Sequence, residues 1–285
     1  MKDLNGKVAV ITGGASGLGK AFAKRFSEAG MKLALADVEV PVLEETVAEL
    51  RSNGIDVIGI PCDVSSAESM KEFSKEVLAE FGQVHLLCLN AGVASGGPIV
   101  ESSLDQWRWV LGVNLYGIIH GLNAFLPELV EQNEGHVVMT ASIAGHTSFA
   151  NMASYNASKH ATVTIAETLF AEMKEAKSDV GVSCLCPGFV STNIFTSDRN
   201  QPEGMQTSLA EPPSEEEVTQ REAALEWLRA NALQPEFVAD LVHEAVVEKQ
   251  FWIFTEETHT QAVTERHKEI QERRDPTAER IIEEL

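Results

Sequence analysis

A tyrosine and a lysine stand four residues apart, Tyr155 and Lys159, in a stretch with helical spacing of apolar residues. Side chains four apart on a helix share one face, so the phenol and the ammonium lie close together. A tyrosine with its ordinary pKa of about 10 is a poor base at neutral pH, but a nearby positive charge favours the phenolate. The spacing therefore predicts a pair that takes a proton from a substrate or returns one. Taken singly, a packed aromatic side chain and a solvated helix charge are the alternatives.

A glycine-rich turn near the amino terminus is the second motif that suits a chemical role. The segment reads Thr-Gly-Gly-Ala-Ser-Gly-Leu-Gly over residues 12–19, between a short apolar run and a helical stretch. Such a turn lets the backbone approach a pyrophosphate, while amides at the helix N-terminus face the anion. The residues expected to contact a dinucleotide here are Gly13, Ser16, Gly17, Leu18 and Gly19. A plain strand-to-helix turn is the alternative.

A carboxylate at the end of the next apolar run strengthens the dinucleotide interpretation. Asp37 follows Gly19 by 18 residues, close to the spacing of about 20 for an acid that binds the adenosine ribose. A carboxylate there accepts hydrogen bonds from both ribose hydroxyls and repels a 2′-phosphate, so NAD is favoured over NADP. Val38 adds no positive charge, while the nearby Lys20 keeps NADP as the lesser alternative.

The elements that must position these residues alternate along the chain. Apolar runs of strand length, without polar alternation, occur at 8–11, 33–36, 57–60, 86–89, 136–140, 182–186 and 251–254. Segments with helical spacing lie between them, for example at 21–29, 43–50, 70–81, 107–129 and 158–174. Strands of this kind are covered on both faces, and strand–helix alternation indicates right-handed crossovers. The sequence thus predicts an α/β fold with a single Rossmann-type, doubly wound parallel sheet.

Length and charge exclude several classes of protein. The chain has 285 residues and carries 43 acidic against 22 basic ones, a formal charge of −21. Nucleic acid and anionic membrane surfaces are therefore not expected as partners. No apolar run reaches the roughly 18 residues of a membrane span, and the amino terminus lacks the pattern of a secretory signal. The four cysteines lie in or beside apolar runs, which is typical of reduced thiols in a cytoplasmic protein, and no metal site is expected.

The alternation breaks in two places. Residues 193–234 are expected to be either a substrate lid or a surface loop, and Ser214 with Glu217 predicts a capping box that opens a helix to about residue 227. Four side chains give this segment an apolar face toward the substrate or toward the body of the protein: Phe195, Met205, Leu209 and Trp227. Residues 256–285 form a charged extension that is helical in part. Residues 1–285 are thus expected to form one dinucleotide-binding domain with a lid insertion and a C-terminal helical extension.

In their order and spacing, these motifs resemble the short-chain dehydrogenase/reductase family over roughly residues 5–193. The positions similar to its catalytic tetrad are Asn114, Ser142, Tyr155 and Lys159. Besides the glycine turn, Asp37, Tyr155 and Lys159, the positions similar to its cofactor site are Asp63, Val64, Asn90, Ala91, Gly92, Pro187, Gly188, Val190 and Thr192. Asp63 alone is also consistent with a cap for a helix that begins near Ser65.

The resemblance implies a role for each member of the tetrad. Tyr155 takes the proton of a secondary alcohol as hydride leaves for the nicotinamide, and donates it in the reverse direction. Lys159 also holds the nicotinamide ribose hydroxyls, Ser142 orients the substrate oxygen, and Asn114 keeps a water in line with Lys159. Taken singly, Ser142 is also consistent with a strand-end cap and Asn114 with a satisfied core amide.

Two features depart from the family pattern. Leu89 stands where many members have a second asparagine before Asn90. Many members end soon after the last strand with a glycine-containing segment that packs on a neighbouring subunit. Here Phe254 is followed by about thirty mostly polar residues, so the usual tetramer is in doubt, and either a homodimer or a homotetramer is expected.

The predicted function is an NAD-dependent oxidoreductase that interconverts a small-molecule secondary alcohol and a ketone. The stretches 187–194 and 199–202 and the tail after Phe254 are similar to a branch that acts on bulky aromatic secondary alcohols, such as lignin-derived aryl ethers. Steroid and terpenoid alcohols are the next candidates. A non-catalytic dinucleotide sensor or scaffold is one alternative, against which the intact Tyr155 and Lys159 pair argues. A dehydratase or epimerase is another, and the sequence offers none of the further acid/base groups that it needs.

Overall fold

The computed structural model of the chain describes residues 1–205, 214, 218–219, 223, 226–227 and 230–277. The strands are β1 (Val8–Thr12), β2 (Lys32–Asp37), β3 (Val57–Pro61), β4 (Leu86–Leu89), β5 (His136–Thr140), β6 (Gly181–Cys186) and β7 (Trp252–Phe254). The helices with defined bounds are α1 (Gly17–Glu28), α2 (Val40–Ser52), α3 (Ala67–Phe81), α4 (Leu104–Leu111), α5 (Gly117–Glu131), α6 (Ala153–Glu175), α7 (Pro235–Glu248) and α8 (Glu257–Glu272). Every strand predicted from an apolar run is present, within one residue at each end.

The strands pair in parallel, in the order β3-β2-β1-β4-β5-β6-β7. The order reverses at β1 and β4, where Ile11 lies opposite Cys88. In doubly wound sheets a crevice opens at such a reversal, outside the carboxyl ends of the strands. The predicted α/β fold with a doubly wound parallel sheet is therefore confirmed, and its topology directs attention to the ends of β1 and β4.

Both faces of the sheet are covered, which explains the missing polar alternation. Ile11 belongs to an apolar cluster with Phe22 of α1, whereas its neighbour Val10 belongs to a second cluster with Phe73 and Phe125. Successive side chains of a strand point to opposite faces. A strand packed on both faces therefore needs apolar residues at every position.

The predicted helix over 107–129 is longer and less regular than its pattern suggested. Helices α4 and α5 are continuous through a π-helical turn, Gly112–Tyr116, which contains Asn114. The stretch Leu104–Glu131 is long and apolar enough to cross a membrane by length and composition, a property that it shares with core helices. Its Phe125 and Leu129 side chains are fully buried in the cluster beside the sheet. π-Helical turns occur mostly as single turns within α-helices, frequently at functional sites.

The ends of the predicted lid return to the same part of the protein. Asn193–Asn200 forms irregular 3₁₀ turns with a kink at Thr196. The Leu233 amide donates to the Phe189 carbonyl at 3.1 Å, so the far end of the segment closes on its start. Most of the helix predicted after Ser214, including Glu217, and the apolar Leu209 lie outside the described residues. In the C-terminal extension, α8 confirms the expected helix up to Glu272.

Candidate active site

A cavity of about 700 Å³ lies at the carboxyl ends of the strands. All the residues predicted for the site line this cavity except two, Gly19 and Asn114, which are buried beneath its wall. The sheet brings together residues as distant in sequence as Gly13 and Thr192, because parallel strands end at one edge. The cavity therefore joins the glycine turn, Asp37 and the Tyr155 helix in a single space.

The glycine turn is shaped to leave its amides available. A Cβ at Gly19 would lie 1.9 Å from the Gly13 carbonyl oxygen, so only glycine allows α1 to start this close to the turn. No side chain caps the N-terminus of α1, and its first turn contains no acidic residue. Its leading N–H groups and the positive end of its dipole thus remain suited to an anion. This geometry fits the pyrophosphate of a dinucleotide.

Thr12, which was not among the predicted site residues, holds the next loop against this turn. Its hydroxyl oxygen accepts hydrogen bonds from the Asn90 amide at 2.9 Å and the Ala91 amide at 3.1 Å. The Asn90 side-chain amide donates to the Thr12 carbonyl at 3.1 Å. A hydroxyl at the last position of a buried strand is the sequence signal for such a role. Asn90 thus positions the turn through its own side chain, despite the apolar Leu89 before it.

Asp37 occupies the end of β2 inside the cavity. Its carboxylate accepts hydrogen bonds from the Ala15 amide at 3.0 Å and the Glu39 amide at 3.1 Å. Burial raises the pKa of Asp37, and these backbone hydrogen bonds oppose the increase. Lys20, the residue that kept NADP open, pairs instead with Glu49 at 2.7 Å. The cation that the sequence offered for a 2′-phosphate is thus paired with another carboxylate.

Asp63 lines the cavity but does not cap the following helix. Its Oδ1 accepts from both the Ser65 amide at 2.9 Å and the Ser65 hydroxyl at 2.7 Å. Helix α3 begins at Ala67, and its cap is Ser66, whose hydroxyl accepts from the Ser69 amide. The alternative reading of Asp63 as the helix cap was wrong, because the loop continues past Ser65 before the helix starts.

Lys159 is a buried cation that faces the cavity. Its side chain is 2% exposed, and its ammonium donates to the Thr140 carbonyl at the end of β5 at 2.9 Å. Burial lowers its pKa to about 8. An ammonium has three donors, and only one of them has a partner among the described residues. The remaining donors suit the hydroxyls of a ribose or a phenolate.

Tyr155 is buried at the centre of the site, with the Lys159 ammonium 5.5 Å from its ring centroid. Burial raises the pKa of Tyr155, and a hydrogen bond with Ser142 acts in the opposite direction. The sequence predicted a phenol made more acidic by Lys159. The side chains of the protein alone do not produce that shift, because the loss of solvation around the phenol is the largest effect.

Ser142 and Asn114 bind the backbone of the loops that surround Tyr155 and Lys159. The Ser142 hydroxyl accepts from the Ala144 amide at 3.1 Å and donates to the Pro187 carbonyl at 3.4 Å. Asn114 exchanges hydrogen bonds with the backbone of Val93, at 2.8 and 2.9 Å, and donates to the Ser158 hydroxyl. A fully buried amide bound in this way fixes the loop after β4, which agrees with the satisfied core amide that the sequence allowed for Asn114 as an alternative.

The side chains of the predicted lid divide between packing and exposure. Phe195 stacks on Phe189 with ring centroids 6.2 Å apart, and Met205 packs on the buried cluster around Trp109. Ser197 both donates to and accepts from the Ala94 backbone at 2.9 Å. Trp227, in contrast, is 42% exposed.

An ion pair that sequence reasoning missed joins the lid to the loop after β2. The Arg199 guanidinium donates to Glu39 at 2.6 Å, and the Asn200 side chain donates to the same carboxylate at 2.9 Å. The pair lowers the pKa of Glu39. Arg199 also donates to the carbonyls of Asn193 and Thr196. Its partner lies 160 positions away in sequence, so no local pattern indicates the contact.

Comparison with known proteins identifies consistent relatives. The sequence matches the family model of the short chain dehydrogenases over residues 7–203. A short chain dehydrogenase/reductase from Burkholderia phymatum in complex with NAD has a TM-score of 0.91 and 42% identity, covering 97% of this chain and 98% of that one. A C alpha-dehydrogenase from Sphingobium sp. (strain NBRC 103272 / SYK-6) is 36% identical over 255 residues, 89% of this chain and 81% of the relative. The CLA biosynthesis dehydrogenase/reductase of Lactiplantibacillus plantarum is 28% identical over 271 residues, 95% of each protein.

Proposed function

Because the chain belongs to the short-chain dehydrogenase/reductase family of oxidoreductases, we propose that it is an NAD-dependent dehydrogenase that interconverts a secondary alcohol and a ketone. One observation carries this proposal: Ser142, Tyr155 and Lys159 line the same cavity as the glycine turn and Asp37. A proton-transfer pair and a dinucleotide cradle in one space are the requirements of hydride transfer coupled to proton transfer. NAD⁺, when bound, accepts the hydride from the alcohol carbon.

The protein's own groups manage the proton and the substrate oxygen. In the oxidation direction the phenolate oxygen of Tyr155 takes the hydroxyl proton of the alcohol, and in reduction the phenol returns it to the carbonyl oxygen. Because burial disfavours the phenolate, the cationic Lys159 and the hydrogen bond from Ser142 must offset that cost. The Ser142 hydroxyl carries a single proton, so once the alcohol is bound it donates to the substrate oxygen in place of its partner in the free protein, and thereby orients that oxygen. Asn114 keeps the site in register by binding the Val93 backbone, and we propose that it also retains a water beside Lys159.

The charges around the ribose end favour NAD over NADP. Asp37 presents a carboxylate where a 2′-phosphate would lie. The two cations nearest to that end are already paired, Lys20 with Glu49 and Arg199 with Glu39. A 2′-phosphate would thus meet a buried acid, while these two cations already pair with carboxylates. The NAD-bound relative from Burkholderia phymatum supports the same choice.

The cavity walls favour a bulky apolar or aromatic substrate. Phe149, Phe189, Phe195 and Ile194 line the cavity beyond the reaction centre. Apolar and aromatic walls with few polar groups are typical of sites that bind such ligands. The similarity to a C alpha-dehydrogenase supports a dehydrogenase role.

We also propose that the chain forms one NAD-binding domain, with residues 193–234 as a substrate lid and 256–285 as a C-terminal extension. A homodimer or homotetramer in the cytoplasm is the proposed state. The oligomerisation that is general in the family supports the first part, and the four buried, free cysteines support the second.

A panel of secondary alcohols with NAD⁺, followed by the absorbance of NADH, tests this function. Aryl carbinols, steroid alcohols and short aliphatic alcohols form three arms, each repeated with NADP⁺. We expect NAD-dependent turnover that is fastest with a bulky aromatic alcohol. Tight NADH binding without turnover on any arm would instead indicate a dinucleotide sensor or scaffold, and turnover only with NADP⁺ would overturn the cofactor choice.

A further inference from the structure

The segment after β7 touches the back of the cavity wall at Gly188. The Gly188 amide donates a hydrogen bond to the Thr255 hydroxyl at 3.1 Å, and Thr255 is 8% exposed. Gly188 itself lines the cavity. A backbone amide in the cavity wall is thus satisfied by a side chain that reaches it from outside the cavity.

The fit at this contact leaves no space for a side chain on residue 188. A Cβ at Gly188 would lie 2.1 Å from His259 Cε1, 2.5 Å from His259 Nε2 and 2.5 Å from Glu256 Oε2. Real Cβ atoms essentially never come this close to other atoms. The C-terminal segment therefore requires glycine at this position.

His259 and Glu256 form a fixed pair over Gly188. The His259 Nε2 lies 3.1 Å from Glu256 Oε2, and the imidazole is 2% exposed. Burial lowers the pKa of His259, and the nearby Glu256 carboxylate opposes that shift. Its Nδ1 has no hydrogen-bond partner within the part of the chain that the structure describes. Burying a polar ring atom unpaired is costly.

The same turn is tied to the reaction centre on its other side. The Pro187 carbonyl accepts hydrogen bonds from the Ile143 amide at 3.0 Å and from the Ser142 hydroxyl at 3.4 Å. The turn at Pro187 and Gly188 is thus held between Ser142 in front and Thr255 behind. A shift of Gly188 moves the Pro187 carbonyl and changes where the Ser142 hydroxyl points.

We propose that Thr255, Glu256 and His259 are positioning residues for the reaction at this site. They hold the turn at Pro187 and Gly188 so that the Ser142 hydroxyl and the cofactor-facing wall keep their spacing. All three lie beyond residue 203, where the match to the family model ends. The segment after β7, which comprises Thr255 and the start of the C-terminal extension, thus acts on the reaction from outside the cavity. This inference rests on the proposed dehydrogenase function.

The first test compares Thr255→Val with Thr255→Ser. Valine keeps the shape but removes the acceptor, whereas serine keeps the acceptor. In the valine variant the buried Gly188 N–H loses its acceptor, and the turn should shift to find another partner. We expect kcat to fall about tenfold with Thr255→Val but less than twofold with Thr255→Ser. Hydrogen exchange of the Gly188 amide, measured by NMR, should accelerate in the valine variant alone.

Thr264→Val in helix α8, which begins two residues after Thr255, is the matched control, since Thr264 is exposed and its hydroxyl donates to the Thr260 carbonyl. It should leave both kcat and Gly188 exchange unchanged. The affinity for NADH, measured by fluorescence, should change less than kcat, because the turn is displaced and not removed. Unchanged kcat and unchanged Gly188 exchange in Thr255→Val would overturn the proposal.

The second test is a double-mutant cycle between residues 188 and 259. Gly188→Ala should lower kcat/KM by at least about a hundredfold, because the added methyl meets the His259 ring. The pair Gly188→Ala with His259→Ala should recover about tenfold of that loss, since the flexible end of Glu256 can then move aside. Strictly additive losses would contradict the proposed contact.

The two proposals fail in different ways. If no alcohol is oxidised by the unmodified protein, the dehydrogenase function fails. In that case faster Gly188 exchange and weaker NADH binding in Thr255→Val would still support the positioning role. If the unmodified protein turns over and the Thr255 variants match it in every readout, the positioning role alone fails.

Discussion

The reaction centre and the Asn193–Asn200 segment face the same cavity but are built differently. Lys159 is 2% exposed and bonded to the backbone at the end of β5, while Tyr155 and Ser142 are buried beside it. In the segment opposite, the Arg199 and Glu39 side chains remain 34% and 23% exposed. The first side is held by burial and regular elements, whereas the second combines the buried Ser197, bonded to the Ala94 backbone, with a partly solvated ion pair.

This difference suggests separate tasks for the two sides, proton transfer on one and entry of ligands on the other. Buried groups bonded to strand ends have few alternative positions, so the distances that a proton transfer needs are kept. A solvent-exposed ion pair contributes only about 0–1 kcal/mol and weakens with salt. This difference supports the proposal that residues 193–234 act as a lid beside a fixed reaction centre.

The largest effect is expected at Tyr155. Tyr155→Phe removes the proton acceptor and should lower kcat about a thousandfold, the middle of the range for a general acid/base. Binding of NADH, followed by fluorescence, should stay within a few-fold. Tyr116→Phe is the matched control, because Tyr116 is 52% exposed. A Tyr155→Phe variant with near-normal turnover would contradict the assignment of the reaction centre.

The buried charge of Lys159 should appear in the pH dependence of stability. Its pKa of about 8 in the folded protein compares with about 10.4 in an unfolded chain. Between those values the unfolded state binds more protons, so the free energy of unfolding rises with pH, by about 3 kcal/mol at most. The raised pKa of Tyr155 lowers the free energy of unfolding as pH rises, but only above about pH 10, where tyrosine ionises in the unfolded chain.

Lys159→Met is the comparison, since it lacks the titrating group. Urea unfolding of both proteins between pH 7 and about pH 10 should show the free energy of the unmodified protein rising relative to the variant. Parallel curves would mean that Lys159 is not destabilised as a cation in this site.

Asp37 should show a smaller effect, at the cofactor end of the cavity. Asp37→Ala removes the acceptor for the ribose hydroxyls and should weaken NAD binding about tenfold, while NADP binding improves. Asp56→Ala is the control, because Asp56 pairs with Lys32 at the amino-terminal ends of β3 and β2, away from the cavity. An unchanged ratio of the two affinities would exclude Asp37 from the ribose site.

The exposed ion pair should give the smallest effect. Arg199→Gln and Glu39→Gln should each raise the KM for the alcohol by about twofold to fivefold, with kcat nearly constant, because the pair is worth about 1 kcal/mol at most. The double variant should resemble either single one, and added salt should reduce the difference. A tenfold loss of kcat would mean that the segment also shapes the reaction centre.

The amino-acid sequence alone determined the order of the elements and predicted most of the residues that line the main cavity. Apolar runs without alternation marked every strand, since a sheet covered on both faces needs apolar side chains throughout. The glycine turn, Asp37 and the Tyr155 and Lys159 spacing depend on local geometry, which the chain encodes within short stretches. The sequence allowed Asp63 as an alternative helix cap, and the cap is Ser66, because neighbouring polar residues compete for that role and only the backbone path selects one.

The tertiary structure decided what depends on contacts distant in sequence. The Glu39 and Arg199 pair, the Thr12 hydroxyl under the Asn90 turn and the His259 ring over Gly188 join separate elements. The shift in the pKa of Tyr155 likewise follows from burial, which no spacing of residues reveals. Local sequence sets which groups are present, whereas packing sets their solvation and their partners, and these control how each group reacts.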